Sequence, residues 1–212
     1  MKGDETMSYS INLSLITIDE YKDLLKKQNL LPGRQLLKTN IDHNFDLILK
    51  YGVDKIEQLK KILSNSAKLS MLKNATGIAE EYLLMLKREM GSLEQKPVSI
   101  SQFPKIDRQV IKDLENRGIK NSKDYYEIKP TIKDELYSLC DLVRINGVGA
   151  VAARMFYEAG YGSVADVAQA NAESMLVEVS KVNEDKGYYK GQLGIKDMQF
   201  CIDYAILLEK YS

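Results

Sequence analysis

Apolar residues along this chain recur at three- and four-residue spacing almost from end to end. Leu59, Ile62 and Leu63 line one helical face, as do Tyr82, Leu83 and Leu86. The pattern continues in Val110, Ile111 and Leu114, and in Phe200, Tyr204 and Leu207. Helix starts are marked by a hydroxyl or Asx residue followed three residues later by a carboxylate. Thr17 with Glu20, Asp54 with Glu57, Asn121 with Asp124, Thr131 with Asp134 and Ser163 with Asp166 all have this spacing. Strict alternation of apolar and polar positions occurs in Tyr9–Leu15, which reads as a strand. A lone strand has no partner in this sequence, so an extended arm is an equal reading.

A repeat lies beneath the helical pattern. Three segments align on a glycine: Leu49–Val53 around Gly52, Glu115–Ile119 around Gly118 and Tyr157–Tyr161 around Gly160. Each glycine has the position of a left-handed helix C-cap, and a capped new helix follows it. Ile41-Asp42, Ile106-Asp107 and Val148-Gly149 precede the glycines by 11, 12 and 12 residues. A weaker fourth copy is Thr76-Gly77-Ile78-Ala79, followed by Glu80 and Glu81. The repeated unit is a helix, a short apolar hairpin and a second helix. One such unit cannot bury its apolar face alone, so units must stack. The expected architecture is all-α, with such units in two consecutive halves. The divisions are an N-terminal arm over 1–16, a degenerate half over 17–92 and a second half over 98–212. Gly91–Pro97 forms the junction.

The best-formed hairpin is Ile145-Asn146-Gly147-Val148-Gly149-Ala150. Two glycines around an apolar residue permit a sharp turn and a close approach of the backbone to a ligand. The second glycine opens a helix whose first-turn amides point outward, which is an anion site suited to phosphate. Gly147, Val148, Gly149 and Ala150 are the candidate contacts, with Arg144 and Arg154 on either side. Lys105, Arg108 and Lys112 form a second basic cluster beside another hairpin. For all these cations the alternative is an ordinary solvated helix face. The loop Gly187-Tyr188-Tyr189-Lys190-Gly191 either stacks on a base or packs its tyrosines against neighbouring helices.

Composition narrows the choice of function. The 212 residues are 44% apolar and 28% charged, ordinary for a globular chain with a sizeable core. Thirty basic residues balance thirty acidic ones, so the global basic excess of many nucleic-acid binders is missing. From Lys133 onward eight basic face twelve acidic residues, a net charge of −4. Cys140 and Cys201 lie in apolar helical patterns and read as buried thiols rather than a disulfide or metal pair. His43 is the sole histidine, so no histidine-rich metal site is expected. No phosphate-binding lysine loop, nucleophile elbow or poised carboxylate pair is present, and an enzyme is not expected. The sequence calls for no cofactor and no metal. No apolar run reaches a membrane span and no secretory signal is evident, so a cytoplasmic protein is expected, with Met7 an alternative start.

Ile145–Ala153 resembles the helix-hairpin-helix motif, with Gly147, Val148, Gly149 and Ala153 at its expected places. Thr76-Gly77-Ile78 and Phe103-Pro104-Lys105-Ile106 resemble decayed copies. The second half, from about Leu139 to Leu208, is similar to a bacterial family of unknown function built from such motifs. The resemblance implies contact between hairpin amides and a DNA or RNA phosphate without sequence preference. It also implies that such hairpins can hold a monovalent cation on their carbonyls. Versions that bind DNA often carry a lysine or arginine where this chain has Val151. Asp107 and Asp42 stand where Gly149 stands, and a carboxylate there repels phosphate. Two functions therefore remain at this point: a nucleic-acid backbone binder, and a scaffold for another protein that has lost that activity.

Overall fold

The computed structural model describes residues 8–28, 30–130 and 134–212. The proposed start at Met7 and the Thr131 cap lie outside these residues. Among the described residues the chain forms twelve α-helices, two 3-10 segments and no strand, an all-α fold. It divides into two compact units. One comprises residues 12–94 with Tyr211, and the other residues 8–11, 95–210 and Ser212.

The first unit contains α1 (Ile18–Lys27), a 3-10 segment (Pro32–Lys38), α2 (Ile41–Lys50), α3 (Ile56–Leu63), α4 (Ser66–Thr76) and α5 (Glu80–Gly91). Spacing dictates which faces meet. Ile18, Tyr21 and Leu25 of α1 and Ile41, Phe45 and Ile48 of α2 are buried where the two helices pack. Ile56, Leu59 and Leu63 of α3 pack toward α4 and α5. Burying each such side chain contributes roughly 1.5–3 kcal/mol. Half-buried Arg34 donates to the buried Glu89.

The second unit holds a 3-10 segment (Ile100–Gln102), α6 (Arg108–Asn116), α7 (Ser122–Glu127) and α8 (Glu135–Leu142). It continues with α9 (Ala150–Glu158), α10 (Val164–Ala168), α11 (Ala172–Lys186) and α12 (Ile195–Tyr211). Here α7 packs on α8, α8 on α9 and α9 on α11. Leu139 and Leu142 of α8, Ala153 and Phe156 of α9, and Met175 and Val179 of α11 form the core.

The same device recurs inside both units. Gly52, Gly118 and Gly160 take positive φ of 92°, 83° and 98°. After each, the next amide reaches back to a carbonyl five residues earlier: Val53 to Ile48, Ile119 to Leu114, Tyr161 to Phe156. Each unit also has one isolated antiparallel bridge beside the helix that follows its glycine, Thr17 with Lys55 and Ser99 with Asn121. Ile18 donates to Asp54 and Ile56 to Ile16; correspondingly Ile100 donates to Lys120 and Ser122 to Val98.

The caps follow the sequence with two shifts. Thr17 with Glu20 and Asn121 with Asp124 form reciprocal boxes, and Ser163 accepts from the Asp166 amide. The α3 cap is Lys55 rather than Asp54. The bridge holds the backbone extended one residue further, and the Gln58 side chain, not Glu57, accepts from Asp54 and Lys55. Asp134 is itself the cap of α8, accepting from the Tyr137 amide at 2.8 Å. Tyr9–Leu15 is not a strand. Tyr9, Ile11 and Leu13 are buried, and the alternation ends in a turn where Asn12 accepts from Ser14 and Leu15. Residues 8–11 belong to the second unit.

Candidate nucleic-acid interface

The hairpin between α8 and α9 is built by two buried anchors and two exposed glycines. After Leu142 the chain tightens: the Arg144 amide donates to Asp141 and the Ile145 amide to Leu142, both at 3.1 Å. Ile145 is fully buried, and the Val148 amide returns to its carbonyl at 3.0 Å. That closure needs Gly147 at φ 83°, a conformation that strains any residue with a Cβ. Val148 is 3% exposed and inserts between the helices. Gly149 is extended and caps α9 with no side-chain acceptor. The first helical bond runs from the Ala153 amide to the Gly149 carbonyl at 2.9 Å. The amides of Ala150, Val151 and Ala152 thus lack intrahelical acceptors and lie next to two solvent-exposed glycines.

The sister hairpins repeat the backbone and spoil the site. Lys105 (φ 62°), Ile106 and the cap Asp107 repeat the Gly147, Val148, Gly149 sequence of conformations, as do Gly77 (φ 72°), Ile78 and the cap Ala79. The Asp107 carboxylate accepts from the Gln109 amide at 2.6 Å, satisfying the helix end from within. Glu80 and Glu81 occupy the first turn of α5. Asp42 lies inside the first turn of α2 and pairs with Lys26. Among the four hairpin helices α2, α5, α6 and α9, the α9 start alone has neither a carboxylate cap nor a carboxylate in its first turn.

Arg144 and Arg154 do not flank this site as free cations. Both are 2% exposed. Arg144 places all five N–H groups: on the carbonyls of Tyr9 (2.9 Å) and Ser8 (3.1 Å), the hydroxyls of Tyr126 (2.8 Å) and Ser212 (2.9 Å), and Asp141. Asp141 turns its other oxygen to the Val164 amide at 2.8 Å, joining α8 to the start of α10. Arg154 donates to the Pro104 carbonyl at 2.6 and 3.1 Å and pairs with Glu135 at 2.8 Å. A guanidinium is drawn inside because carbonyls, a phenol and a carboxylate replace its hydration together.

The second cluster splits. Lys105 sits 2.9 Å from Glu158 and over the Tyr188 ring, and Tyr188 also donates to Glu158. Arg108 and Lys112 are exposed on α6 and line a surface depression with Ser101, Ile111 and Glu115. The helix α9 connects the two hairpins: its start carries Gly149, its middle clamps Pro104 and its end clamps Lys105. His43 is exposed, and both cysteines are buried. Burial pushes the Cys201 thiol up to about 12 and the Cys140 thiol up as well. Among the described residues no group of three or more metal-ligating side chains converges, and no helix is long and apolar enough to cross a membrane.

Sequence reasoning missed the polar core around Arg144. The i,i+3 pairing of Asp141 with Arg144 was visible; the contributions of Tyr9, Ser122 and Ser212, distant in sequence, were not. Ser122 is fully buried, contacting the Tyr9 hydroxyl at 2.6 Å and accepting from the Val98 amide at 2.9 Å.

Residues 140–187 match the family described as a SAM-like helix-hairpin-helix tandem. The match begins in α8 and ends at Gly187, the cap of α11, so it contains both the Gly147–Gly149 hairpin and the α10–α11 pair. No curated protein and no solved structure matches the chain. The helix-hairpin-helix match thus covers the segment with the open hairpin and stops before α12.

Proposed function

We propose that this chain is a non-enzymatic module that binds the phosphodiester backbone of DNA or RNA without sequence preference. The observation that carries this reading is the open start of α9. The Ala150, Val151 and Ala152 amides lack intrahelical acceptors, Gly149 caps them without a carboxylate, and Val151 and both glycines are exposed while Ala150 is buried. Helix-hairpin-helix modules commonly bind nucleic acid, and the matched segment contains this hairpin. The contact comes from backbone dipoles, because Arg144 and Arg154 are spent inside the unit. A weak contact that reads no base follows from that chemistry.

The test uses Gly149→Asp. Gly149 is extended with open space around it, so aspartate fits there and caps α9 as Asp107 caps α6. Labelled single- and double-stranded oligonucleotides are titrated at low and moderate salt. Salt-dependent binding by the wild type that Gly149→Asp abolishes, with the melting temperature kept or raised, supports the reading. Absence of binding at low salt overturns it. A protein-interaction scaffold then takes its place, a reading favoured by the net charge of −4 from Lys133 onward.

A further inference from the structure

The loop after α11 separates two adjacent tyrosines into different roles. Tyr188 is spent on the protein, its hydroxyl donating to Glu158 and its ring lying under Lys105. Tyr189 is 48% exposed, and its hydroxyl has no partner among the described residues. Its backbone is nonetheless fixed. The Tyr189 amide donates to the Asn183 side chain at 2.7 Å, and the Asn183 amide group returns to the Tyr189 carbonyl at 2.9 Å.

The ring itself rests on Gly191. A Cβ at that glycine would lie 2.6 Å from Cε1, Cζ and the hydroxyl oxygen of Tyr189 alike. An atom in the ring plane cannot be that far from all three at once, so Gly191 lies against a face of the ring. One face is therefore covered by backbone that has no side chain, and the exposure belongs to the rest of the ring. Around it, exposed Lys186 and Lys190 are balanced by exposed Glu184 and Asp185, which makes the loop a poor phosphate trap. A neutral, held aromatic face suits a neutral, flat partner.

We propose that Tyr189 is a stacking platform for one unpaired nucleobase, and that it makes the backbone binder described above prefer single strands. The proposal rests on that reading, and α9 supplies the spacing. The run from Ala150 to Glu158, where Tyr188 is held, spans about 12 Å at 1.5 Å per residue. The rise in a stacked duplex is about 3.4 Å per nucleotide, and an unstacked strand extends further, so a few nucleotides of one strand cover this length. A strand with a phosphate on the α9 amides thus brings a base a few nucleotides away to Tyr189. Stacking tolerates any base, in keeping with a contact that reads no sequence.

The full chain is titrated by fluorescence anisotropy with three labelled probes of equal length: a single strand, a single strand of abasic sites and a duplex. The wild type is expected to bind the ordinary single strand about tenfold more tightly than the abasic strand or the duplex. Tyr189→Ala removes that preference and leaves the salt dependence unchanged, because no phosphate contact is lost. Tyr189→Phe keeps the preference. Gly191→Ala displaces the ring and behaves like Tyr189→Ala, with the melting temperature confirming an intact fold. Equal wild-type affinity for the ordinary and abasic strands overturns the proposal, as does an unchanged preference in Tyr189→Ala. If in either case Gly149→Asp still abolishes binding, the phosphate contact stands without the stacking. If no probe binds at all, both readings fall together.

Discussion

At the scale of single residues, the largest effects belong to groups that sequence reading places at the surface and the fold places inside. Arg144 carries a full charge at 2% exposure, with every N–H matched. Arg144→Met leaves Asp141 charged in the core with the Val164 amide as its remaining partner, a loss of about 3–5 kcal/mol. Urea denaturation is expected to show that loss, against a change within about 0.5 kcal/mol for Arg108→Ala on the exposed face of α6. Adding Asp141→Asn to Arg144→Met recovers part of the loss, since the charge goes while an acceptor for Val164 remains. Protonation is a second residue-scale lever. Burial raises the Cys201 thiol from 9.0 to about 12, lifts Cys140 in the same direction and raises the Tyr9 phenol from 10.0 to about 12. The folded state therefore holds these protons more tightly than the unfolded chain. Their stabilisation is complete below about pH 9 and is lost as pH rises, through the thiols first and Tyr9 from about pH 10. Melting temperatures measured between pH 8 and 11 should fall on the alkaline side, and Cys201→Ala should flatten that fall. A profile that stays level to pH 11 contradicts this account.

Elements show how sequence patterns become structure, and where local information ends. The three glycine-capped helix ends were legible because each cap is decided within six residues, by a glycine at positive φ and an apolar residue behind it. The Gly147–Gly149 hairpin was legible for the same reason. Lys105 shows the limit. It takes the same left-handed conformation without being glycine, and its side chain pairs with Glu158 far along the chain. Of the two readings of Tyr9–Leu15 the strand fails, because alternation records that one side is buried, and not what buries it. At its start Arg144 takes the carbonyls of Ser8 and Tyr9 that a neighbouring strand would take in a sheet. Residues 8–11 are thus a built part of the second unit. Removing residues 1–10 exposes the Arg144 pocket and deletes the buried Tyr9 ring, which packs edge-on against Tyr126 at 5.7 Å. Loss of a buried aromatic alone costs about 3–5 kcal/mol. The shortened chain should lose protection in amide exchange across α7 and α8, where Ser122, Tyr126 and Asp141 lie, while α1–α5 keep theirs. Uniform protection in both would show that the segment is dispensable.

Across the whole molecule, charge sets how strongly the open hairpin can hold a backbone. The chain is neutral overall, and the part that carries the hairpin is acidic. The two arginines nearest the hairpin in sequence are structural, and Lys105 is held by Glu158. Few cations are left to displace counterions, so the logarithm of affinity should fall only shallowly with the logarithm of salt, with a slope of about −1 to −2. The position where a cation would act is open. Val151 is 39% exposed in the first turn of α9, beside the unsatisfied amides. Replacing it removes little buried surface, so Val151→Lys should leave stability within about 0.5 kcal/mol. It adds one ammonium beside the phosphate that the amides receive. The expected result is several-fold tighter binding at low salt and a salt slope steeper by about 0.7–0.9, the signature of one further phosphate contact. Val151→Glu should act in the opposite sense, although a carboxylate near a helix start is tolerated by the fold. The same pair of substitutions on α6, at exposed Val110, is the control: it changes net charge identically outside the first turn of α9. If Val110→Lys matches Val151→Lys in affinity and slope, the molecule responds to its overall charge alone, and the hairpin is a turn that packs two helices. If Val151→Lys alone steepens the slope, the phosphate lies at the start of α9.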